Sequence, residues 1–324
     1  MKFRPMVGTA LLMGALLGAS SASAQWKPTQ EPRIVIGFAA GGGADILSRI
    51  MATGLEPIFG KPVIIENRAG ANGFIAAEQA ARSRPDGHTI AFVTMSMLTV
   101  APYVPGNKLP IEVDKSLTPV ATLADIPIIA ITATQAPFDN VAQLIARAKA
   151  NPGKMTYGSA GVASIGHLSG ELLNALAGTD LTHVVYKGGS QAMVDLIAGR
   201  IDLMIGNMPD FVGAIGDKRL KPLAFAGTQT RPQLPGVPLM SASLPGFVAQ
   251  NWFALMGPAG MDREAIAGWS AAVQKVLSQP EIRSRLDAAG FDPLSGRTDE
   301  LERLIGEDRK RWQKVIVDAK IRMN

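Results

Sequence analysis

Residues 33–50 read RIVIGFAAGGGADILSRI, and Lys61–Arg68 follow as KPVIIENR. A run of β-branched residues, a glycine turn, apolar residues at helical spacing and a second apolar run ending in Glu66 predict strand, turn, helix, strand. A dinucleotide-binding unit opens in the same way, but it needs G-x-G-x-x-G, with the third glycine allowing helix and strand to pack closely. Gly41 and Gly43 fit that pattern, Ile46 stands at the third position, and Glu66 lies at about the right distance to meet a ribose. The missing glycine argues against a nucleotide enzyme. The physics of the turn survives without the cofactor. Consecutive glycines let backbone N–H groups converge on one point, and the N-terminus of the following helix adds about half a positive charge there. An anion is the natural guest, although the same glycines would also make a plain tight turn. From this segment alone the two readings are even.

Working outward, the chain has 324 residues, 47% of them hydrophobic, enough for two domains of ordinary size. Lys2 and Arg4, an apolar stretch over Met6–Ala19 and the small-x-small Ala22-Ser23-Ala24 predict a cleavable export signal over residues 1–24, with Gln25 as the first mature residue. Gly8, Gly14 and Gly18 interrupt the stretch, which is shorter than the roughly 20 apolar residues of a membrane span. A soluble periplasmic protein is expected. Without Lys2 and Arg4 the formal charge falls from +5 to +3, too mild to argue for nucleic acid. Cysteine is absent, which excludes disulfides, thiolate catalysis, Cys-ligated metals and a lipidated N-terminal Cys.

Strand and helix patterns alternate from Arg33 onward, which predicts parallel sheets covered by helices. RIVIGF, PVIIEN and HTIAFVT supply strands of a first α/β unit, with helices from Asp45 and over Phe74–Arg82. The apolar run PVATLADIPIIAITAT leads to a helix that Asp139 can cap and Asn151-Pro152-Gly153 ends. The alternation then restarts. KMTYGS, a helix near Ile165–Leu176, LTHVVY, a short helix over Gln191–Ala198 and IDLMIGN make a second unit. LKPLAFAG and NWFALMGPAG add strands around a proline-rich loop, Arg231–Pro245, and helices at Asp262–Leu277, Glu281–Ala288 and Thr298–Val317 close the chain. Two such units set face to face leave a cleft between their helix N-termini.

No residues assemble a catalytic pair or a metal site. Around Ser164 the sequence is Val162-Ala163-Ser164-Ile165-Gly166, without the leading glycine of a hydrolase elbow, so Ser164 is better read as a helix N-cap or a hydroxyl facing a ligand. His88, His167 and His183 lack zincin spacing and read as structural. Gly188, Gly189 and Ser190 repeat the small-residue turn before a helix, and three such turns favour a clamp of backbone donors. Trp252 and Phe253 suit a core or a cleft wall. Lys187 could pair with a carboxylate, or simply be a surface lysine.

At this point the chain resembles the Bug-type, TctC-like solute-binding proteins of tripartite tricarboxylate transporters. GFAAGGGADILSR, VIIENRAGANGFIAAEQAA, PDGHTIAFVT, YGSAGVASIGHLSGEL, HVVYKGGSQAMVDLIAGRID, RPQLPGVPLMSASLPGF and NWFALMGPAG follow in the family's order. The resemblance implies an α/β two-domain fold of the periplasmic-binding-protein type II (Venus flytrap) class, closing on a small carboxylate without cofactor, metal or catalysis. It places the ligand against Phe38, Ala40, Gly42, Gly43, Ala44 and Asp45 of one loop, and Ser159, Ala160, Ala163 and Ser164 of another. Ser96, Gly189, Ser190 and Asn207 complete the expected set. Two departures stand out. Gly43 and Ala44 replace a proline and a hydroxyl residue, and Ala163 stands where a glycine before the serine is common, which narrows the pocket.

The expected domains are 25–129 plus 252–324 and 130–251, with IPIIAIT and NWFALMG as the two crossings. The expected partners are the carboxylate and membrane permease subunits, with no nucleic acid, and the protein is expected to be a monomer. The alternative role is a ligand-sensing subunit for a membrane kinase; a Rossmann-type enzyme is a weaker one.

Overall fold

The computed structural model describes residues 26–318, so the expected leader lies outside the described residues. The first unit runs β1 (Arg33–Ile36), α1 (Gly43–Phe59), β2 (Ile64–Asn67), α2 (Phe74–Ala81), β3 (Thr89–Thr94), α3 (Met95–Thr99), α4 (Val113–Ser116) and β4 (Leu117–Ile126). After Pro127 come β5 (Ile128–Ala133), α5 (Val141–Ala150), β6 (Thr156–Ser159), α6 (Ile165–Ala177), β7 (Thr182–Val185), α7 (Gly189–Ile197), β8 (Leu203–Asn207), α8 (Val212–Gly216) and β9 (Leu220–Phe225). The chain then returns through β10 (Asn251–Pro258), α9 (Arg263–Leu277), α10 (Pro280–Ala288), β11 (Asp292–Pro293) and α11 (Thr298–Asp318).

These strands form two sheets, ordered β11-β4-β10-β3-β1-β2 and β7-β6-β8-β5-β9. Parallel pairing, expected throughout, holds for β2-β1-β3 and for β7-β6-β8. The remaining strands pair antiparallel. The reason lies in the crossings. A parallel neighbour needs a helical crossover, whereas the chain passes from β4 to β5 through Pro127 alone, entering the second sheet antiparallel to β8. Strand β10 returns in the same manner, antiparallel to β3. The run Pro119–Thr134 is thus two strands in two sheets. Ile128 and Ile129, expected in the first domain, pair with Asn207 and Gly206 in the second sheet. Proline suits the switch because it has no N–H to leave unpaired.

Local signals explain the elements flanking the cleft. Helix α1 buries Leu47, Ile50, Met51 and Leu55 at helical spacing. It ends on Gly60, whose φ of 68° makes a left-handed cap. Helix α5 is capped by Asn140, whose side chain accepts from Gln143 N–H at 2.9 Å, not by Asp139 as the sequence suggested. Asp139 instead receives Lys221 Nζ at 2.5 Å, and its own N–H goes to Gln143. The two halves also touch near the crossings, where Arg231 pairs with Asp292 and lies 3.8 Å from Asp125. Burial and the nearby Asp292 push the Asp125 carboxyl up to about 6. Among the described residues, no helix is long and apolar enough to cross a membrane.

Candidate ligand-binding cleft

The loop after β1 is positioned by contact of backbone on backbone. A Cβ on Gly37 would lie 2.1 Å from the Gly73 Cα, so only glycine lets β1 and the GANG segment before α2 meet. Gly70 N–H donates to Gly37 O at 3.2 Å and Asn67 Nδ2 donates to Phe38 O at 3.2 Å. This lays the Phe38–Gly42 turn over the ends of the parallel strands, where ligands bind in open α/β sheets. In the second half, the Ser159–Ser164 turn after β6 takes the equivalent place. Gly161 comes so near Asn72 that a Cβ would lie 3.2 Å from the Asn72 Cα.

Between the two turns lies a cleft of about 610 Å³, solvent at its mouth included, which bounds the occupant to a small molecule. Phe38, Gly42, Gly43, Ala44 and Ser96 line it from the first half, as expected, and Ser159, Ala160, Ser164, Gly189 and Asn207 from the second. Four expected residues stand elsewhere. Ala40 is exposed at the turn's apex, and Ser190 is half-buried outside the lining, its Oγ 4.0 Å from where a Cβ on Gly42 would lie. Ala163 points into the core, with a left-handed φ of 59°. Asp45 turns away: its carboxylate accepts from Gly41 N–H at 3.1 Å and from Arg49 at 2.9 Å through both oxygens, and these partners hold it below the usual carboxylate range despite burial.

The sequence reading missed Asn72, Thr94, Asp210 and Asn251, all of which line the cleft together with Phe253, which it had offered as core or cleft wall. Phe253 forms part of its wall, edge-to-face with Phe92 at 4.9 Å, while its neighbour Trp252 is core and donates its indole N–H to Asp308 at 2.6 Å. Asp210 is the most consequential of them. It follows β8 in a single 3-10 turn, Met208–Asp210, and reaches across the cleft to accept from Gly43 N–H at 2.5 Å. A Cβ on Gly42, Gly43 or Gly189 would lie 3.3, 3.2 or 2.6 Å from its carboxylate oxygens. Two of the three glycine turns therefore do surround an anion, and it is the protein's own. Burial raises the Asp210 carboxyl, opposed by Gly43 N–H and Asn207.

Helix α6 is arranged differently. Ser164 caps it, accepting from His167 N–H at 3.3 Å, and the first-turn N–H groups of Ile165 and Gly166, both residues lining the cleft, have no partner among the described residues. Opposite them, Ser96 Oγ lies 3.1 Å from Thr94 Oγ1, and Asn72 Nδ2 is buried without a partner. Ser159 spends its hydroxyl on Gly161 O at 3.0 Å and on His183 Nε2 at 2.6 Å, so it offers no free nucleophile. His183 stacks on His167 at 4.1 Å, and burial pushes it down to about 3. Neither ring lines the cleft. Lys187 is exposed and lines a separate depression beside Lys108 and Tyr186. Glu66, the ribose candidate, is taken up by Arg68 at 2.6 Å and Gln79 at 3.3 Å.

The comparisons with known proteins agree with this fold. The model of the tripartite tricarboxylate transporter family receptor, TctC, matches residues 47–321. The protein BugT of Bordetella pertussis is 31% identical over 303 residues, covering 92% of each chain. The periplasmic binding protein BugD superposes with a TM-score of 0.87 at 28% identity, over 92% of this chain and all of that one. Rpa4515 of R. palustris with adipate gives 0.87 at 29% identity, over 91% and 99% of the two chains. MatC of Rhodopseudomonas palustris with bound malate gives 0.83 at 30% identity, over 89% and 99%. The chain belongs to the TctC family of tripartite tricarboxylate transporter receptors, the Bug-type periplasmic solute-binding proteins.

Proposed function

We propose that this protein captures a small carboxylate between two domains in the periplasm and presents the closed complex to the membrane subunits of a tripartite tricarboxylate-type transporter. The domains follow the sheets, one carrying β1–β4 with β10 and β11 and the other β5–β9, hinged at Pro127 and Gln250. Binding needs no covalent step. The observation that carries this reading is the set of unpartnered donors facing one cleft from both halves: Asn72 Nδ2 from the first, and the Ile165 and Gly166 N–H groups from the second. Buried donors without partners are costly, and a carboxylate placed there satisfies them on both sides. Closure then exchanges the hydration of the carboxylate for fixed donors, and the ligand favours the closed state by its differential affinity for it. The adipate and malate of the related structures support the ligand class, and the export signal supports the compartment.

A thermal-shift screen of the mature chain against mono-, di- and tricarboxylates, amino acids and neutral sugars tests the reading. A ligand at 100 times its dissociation constant stabilises the fold by about 2.7 kcal/mol. Shifts with carboxyl-bearing compounds are expected; shifts confined to neutral sugars would contradict the proposal.

A further inference from the structure

The cleft carries acceptors as well as donors, and the acceptors form a connected set. Asp210 Oδ2 receives Asn207 Nδ2 at 3.3 Å, and Asn207 Oδ1 receives Asn251 Nδ2 at 2.8 Å. Because a carboxylate only accepts, Asn207 must turn its amide nitrogen to Asp210 and its oxygen to Asn251. Asn251 must then donate through its nitrogen, which leaves its own Oδ1 as the outward group. That oxygen is buried, on a residue 1% exposed, and has no partner. An unsatisfied buried acceptor in a binding cleft asks for a donor on the ligand.

Charge points the same way. Asp210 is the only ionisable side chain lining the cleft among the described residues, and no lysine, arginine or histidine lines it. A plain dicarboxylate entering here meets a like charge and no cation.

We propose that Asp210 and Asn251 form a subsite for an ammonium group, so that the ligand of this cleft is an amino acid. The ammonium donates to Asp210 and to Asn251 Oδ1, while the carboxylate takes the Asn72 and α6 donors. This rests on the carboxylate reading and adds a specificity-determining end to it. Ammonium suits the subsite better than hydroxyl because it can donate to both acceptors and neutralises the buried carboxylate.

Titration calorimetry with L-aspartate, L-malate and succinate, which differ only in the group at C2, and with the five-carbon set L-glutamate, 2-hydroxyglutarate and glutarate, tests the proposal. The amino acid of at least one set is expected to bind roughly 10- to 100-fold more tightly than its unsubstituted partner, the range of one charge-assisted hydrogen bond. In Asp210→Asn that preference should collapse and the unsubstituted diacid should gain affinity. Asn251→Ala, read alongside and checked by circular dichroism, should weaken the amino acid selectively, and it keeps the test decisive if Asp210→Asn does not fold. Equal or tighter binding of succinate or glutarate by the wild type would overturn the ammonium subsite while leaving the carboxylate reading intact. Tighter binding of the hydroxy acid than of the amino acid would overturn it in favour of a hydroxyl site. Binding of none of these, with shifts only for neutral sugars in the broader screen, would remove both readings.

Discussion

The helices that start at Gly43 and at Ile165 are built on one plan, strand, small-residue turn and helix, yet their N-termini are satisfied differently. At α1 no side chain of the turn caps the helix, and Gly43 N–H is met by Asp210 from the opposite half. At α6 Ser164 supplies its own cap to His167 N–H and leaves the first two amides open. Two equal anion cradles have thus become unequal. One is filled by the protein and tends to hold the halves together, and the other remains for a guest. The glycine turn at Gly41–Gly43, which looks in sequence like the obvious ligand site, is the one already occupied.

The largest effect should come from equalising the two. Ser164→Asp keeps a good N-cap, so the fold should survive, but it places a negative charge where the ligand carboxylate belongs. Like charges about 4 Å apart repel by roughly 4 kcal/mol at an effective dielectric near 20, so calorimetry should record a loss of about a thousandfold. Unchanged affinity would mean that α6 does not hold the carboxylate. Next comes the support of the α1 turn. Gly37→Ala drives a methyl into the Gly73 backbone, which cannot move aside as a side chain can, and should cost about 3 kcal/mol in chemical denaturation, the upper end of overpacking penalties. A wild-type midpoint would show that the Gly37–Gly73 approach is not tight.

The smallest effect concerns the buried rings behind the α6 turn. Burial, with His167 beside it, depresses the folded-state value of His183 to about 3 from the ordinary 6.5. Between those values the unfolded chain binds the proton and the folded chain does not, so stability present above pH 6.5 is lost as pH falls towards 3. Discounting for a half-buried ring, the loss between pH 7 and pH 5 should be about 1 kcal/mol. Urea midpoints of the wild type and His183→Gln across that range provide the check, and equal slopes with pH would contradict it.

Much of this molecule can be read from its sequence, because period and punctuation are local. The helix starting near Ile165 and the strand IDLMIGN fall within a few residues of α6 and β8. Ser164 was legible as a cap because the residue type and its position before an apolar helix carry the chemistry. Asp210 was not. It lies 167 residues from Gly43, and nothing in MPDF announces that its turn projects across to the other sheet. Asn251 was hidden for a similar reason, since a polar residue opening an apolar strand reads as an edge until β10 is seen between β3 and β4. The split of Pro119–Thr134 into β4 and β5 shows the same limit, because hydrophobicity does not say which sheet a strand joins.

The central claim is that a ligand carboxylate is held in the cleft by α6 and by the side chains opposite it. A crystal structure of the mature chain with the acid that gives the largest thermal shift tests this most directly. The account predicts a carboxylate oxygen within hydrogen-bond distance, roughly 2.7–3.2 Å, of the Ile165 or Gly166 amide and of Asn72 Nδ2. An occupant seated instead in the depression beside Lys108 and Lys187, with Asn72 Nδ2 and the α6 amides untouched, would contradict it.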